Sequence, residues 1–530
     1  MKKKVLAILA IVLCLAMVMM TACGGGSGSG GGESSGGESE AAEGGTFIVR
    51  SIGDPTSFNP DMVGDDNLYP IAQNIYLRLV GLDASKTGIV GEAAESWEYN
   101  DDASELTFHL RKDLVWTDGN PLDAGDVKYT FETIKNNASY YFNYAMANVS
   151  AIETPDDYTV VFKLGSPDAS FLSSLAWYAT FILSEEAYGG AENWDDAAAN
   201  SEPVTCGPFK LDSYEQGVSV TLVRNDAFPE PAKLDKLIFS IIPDETTAVE
   251  ALKNGEIDFM EAIPTASAGD VEATGLFNVY YNDYPSPVRF IYNCTKEPFD
   301  QAAVRVALAK AINKDEISTK VYNGYQTPEY SMYPSMVSAI ANMDDVAPNF
   351  DIEGCKADLE AAGLKADADG YYIKGVRLVV FEGMGYPEMA NLIKATMAEA
   401  GVEIEVQVYD FNGWVDKVLG GEFEIEMHGG FLGPDPSALT GRIGTTGGDN
   451  TGKYSNAKVD ELLAQAVALG DMNDRIPLYK EVQKLLAADM PYVPVVSYSA
   501  PEAASNKFVN LPADGTGKWG WGNYGHTELA

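Results

Sequence analysis

Histidine and cysteine are the side chains best suited to hold a metal or act as nucleophiles, and this chain has three of one and five of the other. Their spacing supports neither use. None of His109, His428 and His526 stands in an H-E-x-x-H pattern, so two imidazoles on one helix face are missing. No G-x-x-x-x-G-K-[ST] loop is present to wrap a nucleotide phosphate. His109 alternates with apolar neighbours and reads as a solvated strand residue. His428 offers one metal ligand, but a lone imidazole is more often a satisfied structural group. The paired acids Asp101-Asp102 and Asp344-Asp345 read as loop charges. Cys14 lies in the N-terminal apolar run and Cys23 closes it, which leaves Cys206, Cys294 and Cys355. An odd number, far apart in sequence, is no disulfide framework, and these are expected to be buried thiols. The residues therefore point to no catalysis, no metal and no cofactor, and leave binding.

Binding residues need a framework to position them. At 530 residues the chain exceeds the ~250–300 at which single cores stop growing, so more than one lobe is expected. The formal net charge of −42 excludes nucleic acid and anionic lipid surfaces as partners. Lys2, Lys3 and Lys4 precede an apolar run, Val5 to Met20, that is short for a ~20-residue span and reads as a secretory signal. Gly24 to Gly45 holds 11 Gly, 5 Ser and 4 Glu, a composition that cannot bury a core and predicts a flexible tether.

Periodicity then gives alternating strands and helices. Leu106, Phe108 and Leu110 share one strand face, and Asp118-Gly119 marks a turn. Asp123 with Asp126 predicts a capped helix continuing through Val127, Thr130, Phe131 and Ile134. Further strands are expected at Thr46–Ile52, over Tyr158 to Leu164, over Val218 to Leu222 and at Pro491–Val496. Lys374–Phe381, a helix opened by Pro387 and closed by Gly401, and alternating Val402, Ile404, Val406 and Val408 predict a βαβ unit with parallel strands. Arg305, on an apolar helix face, is expected to pair with a carboxylate.

Several stretches carry more than periodicity. LTFHLRKDLVWTDGNPLDAGDVKYTFE (residues 106–132) contains F-x-L-R-K-x-L-x-W and then D-G-x-P-L-x-A-x-D-V. PVRFIYNCTKEPFDQAAVRVALAKAINKDEI (287–317), the A-L-x-x-G-E-I-D segment and D-x-x-x-R-x-x-L-Y-K-E-V-Q-K-L-L-A add to it. Together these resemble the bacterial extracellular solute-binding proteins of family 5, the peptide and nickel receptors of ABC importers. The resemblance covers nearly the whole mature chain and implies an α/β, periplasmic-binding-protein-like fold (type II, cluster C). Two hinged lobes are expected: lobe I from 46–90, 203–288 and 496–530, and lobe II from 289–495. An extra domain, 91–202, is inserted in the N-terminal lobe. Met20-Thr21-Ala22-Cys23 resembles a lipobox. It implies a signal peptide at 1–22, a diacylglyceryl group on Cys23, a tether at 23–45 and anchoring to the outer face of the bacterial membrane. The implied partners are a peptide or other small solute and ABC permease and ATPase subunits, with the receptor itself a monomer.

The resemblance also suggests site residues. In peptide-binding relatives an Asp in a D-x-P-like loop takes the ligand ammonium, and Asp435 in Gly433-Pro434-Asp435-Pro436 is the matching position. The same residue also suits a plain turn before proline. Gly429, Gly430 and Phe431 suit strand-like pairing with a peptide backbone. Trp414, Tyr386 and Tyr69 suit its walls or, equally, the core. One departure from dipeptide-binding relatives is that Phe381–Pro387 reads FEGMGYP, with Glu382 and no Arg for a ligand carboxylate. The expectation is therefore capture of oligopeptides. Another solute (oligosaccharide, nickel chelate or haem) is the alternative, and a surface enzyme or chaperone on the same scaffold is a third.

Overall fold

Pro285 and Pro287 fall inside the longest strand, Phe277–Tyr292, and neither has an N–H to give to a ladder. That strand pairs antiparallel with Tyr492–Ser505, from Phe277 opposite Ser505 to Ile291 opposite Tyr492. The register slips between Asp283 and Pro287 and again between Val288 and Arg289. These two strands are the centre of a ten-stranded sheet. Their Ala503–Ala504 end carries Phe259–Met260, then Thr46–Ser51, Lys236–Ile241, Ser219–Arg224 and Phe209–Glu215. Their Arg289–Tyr292 end carries Ile425–His428, Ile373–Phe381 and Val402–Tyr409. Two half-sheets are thus joined through a stretch whose ladder is broken by prolines.

The computed structural model describes residues 44–176, 180–189, 194–514 and 522–530. The signal segment, Cys23 and the tether to residue 43 lie outside them. The described residues pack as one compact unit that contains two separate principal cores. One gathers residues from Phe47 to Phe259 with the C-terminal segment around Phe508 and Tyr524. The other runs from Val288 to Val496. Among the described residues no helix is long and apolar enough to cross a membrane.

A four-stranded sheet, ordered Ala94–Tyr99, Glu105–Leu110, Thr159–Leu164, Val149–Asp156, packs on the helix Ala124–Asn136. That helix opens with the expected capping box between Asp123 and Asp126. Asp126 also accepts from Trp116 Nε1 at 2.9 Å and from the Glu185 amide at 2.8 Å. Burial nevertheless pushes its carboxyl up to about 6.

The strand–helix–strand unit Ile373–Phe381, Tyr386–Glu399, Val402–Tyr409 is parallel, as the spacing predicts. Two expectations change. The strand expected at Pro491–Val496 runs on to Ser505, because Phe277–Tyr292 supplies a partner along that length. Arg305 pairs with no carboxylate among the described residues. Its guanidinium donates to the carbonyls of Asp489, Met490 and Phe299 and so satisfies a helix C-terminus.

Candidate functional site

The strand Ile425–His428 leads into the glycine-rich loop of Gly429 to Pro436. Main-chain groups along this loop have partners within the chain. The Gly429 amide donates to the Tyr386 hydroxyl at 2.6 Å, and Arg442 Nη2 donates to the Phe431 carbonyl at 2.8 Å. A Cβ on Gly430 would lie 2.7 Å from the Arg442 guanidinium, so a side chain here would have to displace that group from the loop. The Leu432 amide donates to the Pro285 carbonyl at 2.7 Å, which ties the loop to the proline-interrupted strand. Both partners of that bond are main chain, so it holds whatever side chains line the loop. The Tyr333 hydroxyl donates to the Gly433 carbonyl at 2.7 Å.

Asp435 has a cation of its own. Its two oxygens accept from Arg475 Nη1 and Nη2, each at 2.8 Å, and Arg475 also donates to the Tyr479 hydroxyl at 2.8 Å. The paired side chains are only 7% and 3% exposed. In place of the expected carboxylate awaiting a ligand ammonium, the geometry gives one already neutralised by a bidentate guanidinium.

Opposite the loop stands the hairpin Val80–Leu82/Ile89–Gly91. Three cavities border this hairpin or its turn. One of about 710 Å³ lies between Thr87–Ile89 with Trp97–Asp101 on one side and Val337, Pro434, Asp435 and Leu469–Ile476 on the other. A second, about 310 Å³, lies between Leu82, Phe142 and Tyr144 and the Phe431–Asp435 stretch. A third, about 230 Å³, is lined by Asp66, Tyr69, Gln73, Lys86, Glu261 and Glu502. The two larger volumes suit small ligands. Beside the largest, the Ala169 amide donates to the Val467 carbonyl at 2.8 Å, one main-chain bond linking the small-sheet region to the second core's helices.

The expected site residues divide accordingly. Asp435 and Phe431 line the cavities beside the loop, and Tyr69 lines the third. Gly429, Gly430, Tyr386 and Trp414 line none of the three. Tyr386 props Gly429, while Trp414 is 8% exposed and packs on Phe381, Phe411 and His428. His428 sits between Glu426, at 2.9 Å, and Arg289, at 2.8 Å. Among the described residues no group of three or more His, Cys, Asp or Glu is placed to hold a metal.

Sequence reasoning missed Gln73, Lys86, Glu261 and Glu502. Each is ordinary in its own segment, and only the fold brings the four together. Glu502 accepts from the Tyr284 hydroxyl at 2.5 Å, and Lys86 Nζ lies 3.4 Å from the Tyr284 ring centroid. Burial pulls the Lys86 ammonium down to about 8, against the opposing charges of Glu502 and Glu261. Glu261 lines the same cavity and is an exposed residue.

With this geometry in place, comparison with known proteins identifies the family. The model of the bacterial extracellular solute-binding proteins, family 5 Middle, matches residues 88–451. The chain belongs to this family. The dipeptide-binding protein of Escherichia coli (strain K12) is 28% identical over 503 residues, covering 89% of this chain and 93% of that one. HbpA2 from Haemophilus parasuis shares the fold with a TM-score of 0.82 at 23% identity, over 92% of this chain and 100% of that chain. DppA from Helicobacter pylori, solved in complex with the peptide STSA, gives 0.71 at 24% identity over 92% and 98%. The fold is that of the periplasmic binding proteins, as the resemblance implies.

Proposed function

We propose that this chain is the receptor of an ABC importer and captures peptides, oligopeptides above strict dipeptides, between its two cores. The observation that carries this reading is that the two larger cavities lie between the hairpin and a loop hydrogen-bonded to the proline-interrupted strand. Ladder hydrogen bonds lost at Pro285 and Pro287 make that stretch the natural place for the half-sheets to rotate. Closure then buries the ligand, and reopening releases it to the permease with no bond made or broken. The Asp435–Arg475 pair braces the loop in this scheme, and Phe431 and Tyr69 contact the ligand. A diacylglyceryl group on Cys23 keeps the receptor at the outer face of the membrane.

Mass spectrometry of ligand retained through native purification tests the reading, together with thermal unfolding in the presence of a peptide mixture. Bound peptides, and a midpoint that rises with peptide concentration, are the expected results. Retention of a sugar, a haem or a nickel chelate would replace the peptide assignment. Peptide hydrolysis by the purified protein would overturn the receptor reading itself.

A further inference from the structure

The second cavity differs from the other two in what lines it. Leu82 and Phe142, buried members of the first core, form one wall with the Tyr144 ring, and Phe431, Leu432 and Pro434 form the other. Among the described residues its one carboxylate is Asp435, whose two oxygens already accept from Arg475. The hydroxyls on its wall, from Ser170, Ser173, Ser174 and Ser437, are neutral, and that of Ser170 is spent on Asp168. A charged group entering here would be desolvated with no free counter-charge, which is costly. The largest cavity offers the contrast, with Glu98, Asp101, Asp471 and Asp474 on its walls.

Two aromatic rings shape the space. Tyr144 is 67% exposed, although its ring lies 5.5 Å from that of Phe142 and edge-on to that of Tyr141 at 6.5 Å. Apolar ring surface left in water at the rim of a cavity gains from being covered. Phe431 reaches across between the cores. It stands on the loop that follows Ile425–His428 in the second half-sheet, yet its side chain packs against the first core. The main chain around it is already engaged. The Phe431 and Gly433 carbonyls accept from Arg442 and Tyr333, and the Leu432 amide donates to Pro285. What this stretch offers a guest is therefore mainly side-chain surface. A volume of about 310 Å³ is at the low end for a ligand pocket and suits one side chain, with the body of the ligand outside it.

We propose that this cavity is a subsite for one large uncharged side chain of the ligand, aromatic or branched aliphatic, and that Tyr144 and Phe431 set the preference. The inference rests on the receptor reading above and deepens it by naming a ligand class: peptides that carry such a side chain at one fixed position. Phe431 joins the two cores at the point where the guest enters, so covering the guest and bringing the loop onto the first core are one event.

The experiment compares the full chain with its Tyr144→Ala variant. Tyr144 is exposed, so its truncation leaves both cores packed. Calorimetry follows tetra-alanine and its singly substituted forms with phenylalanine, leucine, lysine or glutamate at each position in turn, together with N-acetyl-phenylalanine amide and methyl β-glucoside. At one position phenylalanine or leucine is expected to bind about tenfold or more tighter than alanine, as for burial of a large apolar side chain. Lysine and glutamate there should bind no tighter than alanine. In Tyr144→Ala the phenylalanine-to-alanine ratio at that position should fall about threefold or more, as for loss of an aromatic contact. Phe431→Ala should lower the same ratio. A merely structural role would weaken every peptide by one factor and leave the ratio unchanged, which overturns the subsite. So would equal affinities for alanine, leucine and phenylalanine at every position, or tighter binding of the glucoside than of the phenyl probe. The phenyl probe also separates this subsite from the peptide reading. If no tetrapeptide binds but the phenyl probe binds the wild type more tightly than Tyr144→Ala, the peptide reading fails and the subsite stands. If neither binds, both fail.

Discussion

Replacing Asp435 by alanine separates a ligand anchor from a structural brace. The carboxylate and the Arg475 guanidinium form two bonds of 2.8 Å in a setting that leaves them 7% and 3% exposed. Unit charges ~4 Å apart interact by roughly 4 kcal/mol at an effective dielectric of 20. Removing one member of a buried pair costs about 3–5 kcal/mol, because the other charge stays buried without a partner. Asp435→Ala is therefore expected to lower the unfolding free energy of the second core by about that much. Tyr479 still accepts from Arg475, which places the loss toward the lower end. Arg475→Met in the same chain removes the stranded charge, so the double variant should recover about 1–3 kcal/mol of the loss. The assay is urea unfolding followed by far-UV circular dichroism for the wild type, both single variants and the double variant. Peptide affinity is measured alongside at low urea. Unchanged stability in Asp435→Ala, combined with lost peptide affinity, would refute the bracing role and restore Asp435 as the ammonium anchor.

Other outcomes follow from the same chemistry. Lys314, 2% exposed and bonded to the Glu329 carbonyl at 2.8 Å, has its ammonium pulled down to about 7 by burial. Between that value and the ordinary 10.5 the unfolded chain holds a proton that the folded chain lacks, so stability from this group rises with pH across the window. Lys314→Met should flatten the rise in urea midpoint between pH 7 and pH 10, and parallel curves would exclude the effect. Burial pushes the thiols of Cys206, Cys294 and Cys355 upward, Cys294 to about 11 and Cys355 to about 12. Cys206 and Cys355, which are buried as expected, should resist a disulfide reagent at pH 8 until the protein is denatured, as read by mass spectrometry of their peptides, whereas Cys294 is only part-buried and should react first. Rapid native labelling of Cys206 would contradict its buried placement.

The sequence by itself determined what depends on near neighbours. Asp123 and Asp126 cap a helix because capping acts over one turn, and the Val402–Val408 alternation forms a strand because pleating has a period of two. The strings around Phe108 and Arg305 carried the family, and the parallel βαβ unit followed from element order. Only the tertiary structure decided which charges face one another. Asp435 reads as an available carboxylate until Arg475, 40 residues later, is folded against it. Gln73, Lys86, Glu261 and Glu502 form one cavity although no local pattern links them. The pairing of Phe277–Tyr292 with Tyr492–Ser505 likewise joins distant segments at the proline break. The physical reason is range: propensity, capping and pleat act within a few residues. Desolvation and charge pairing depend on every surface that closes over a group, and sequence spacing does not record those surfaces.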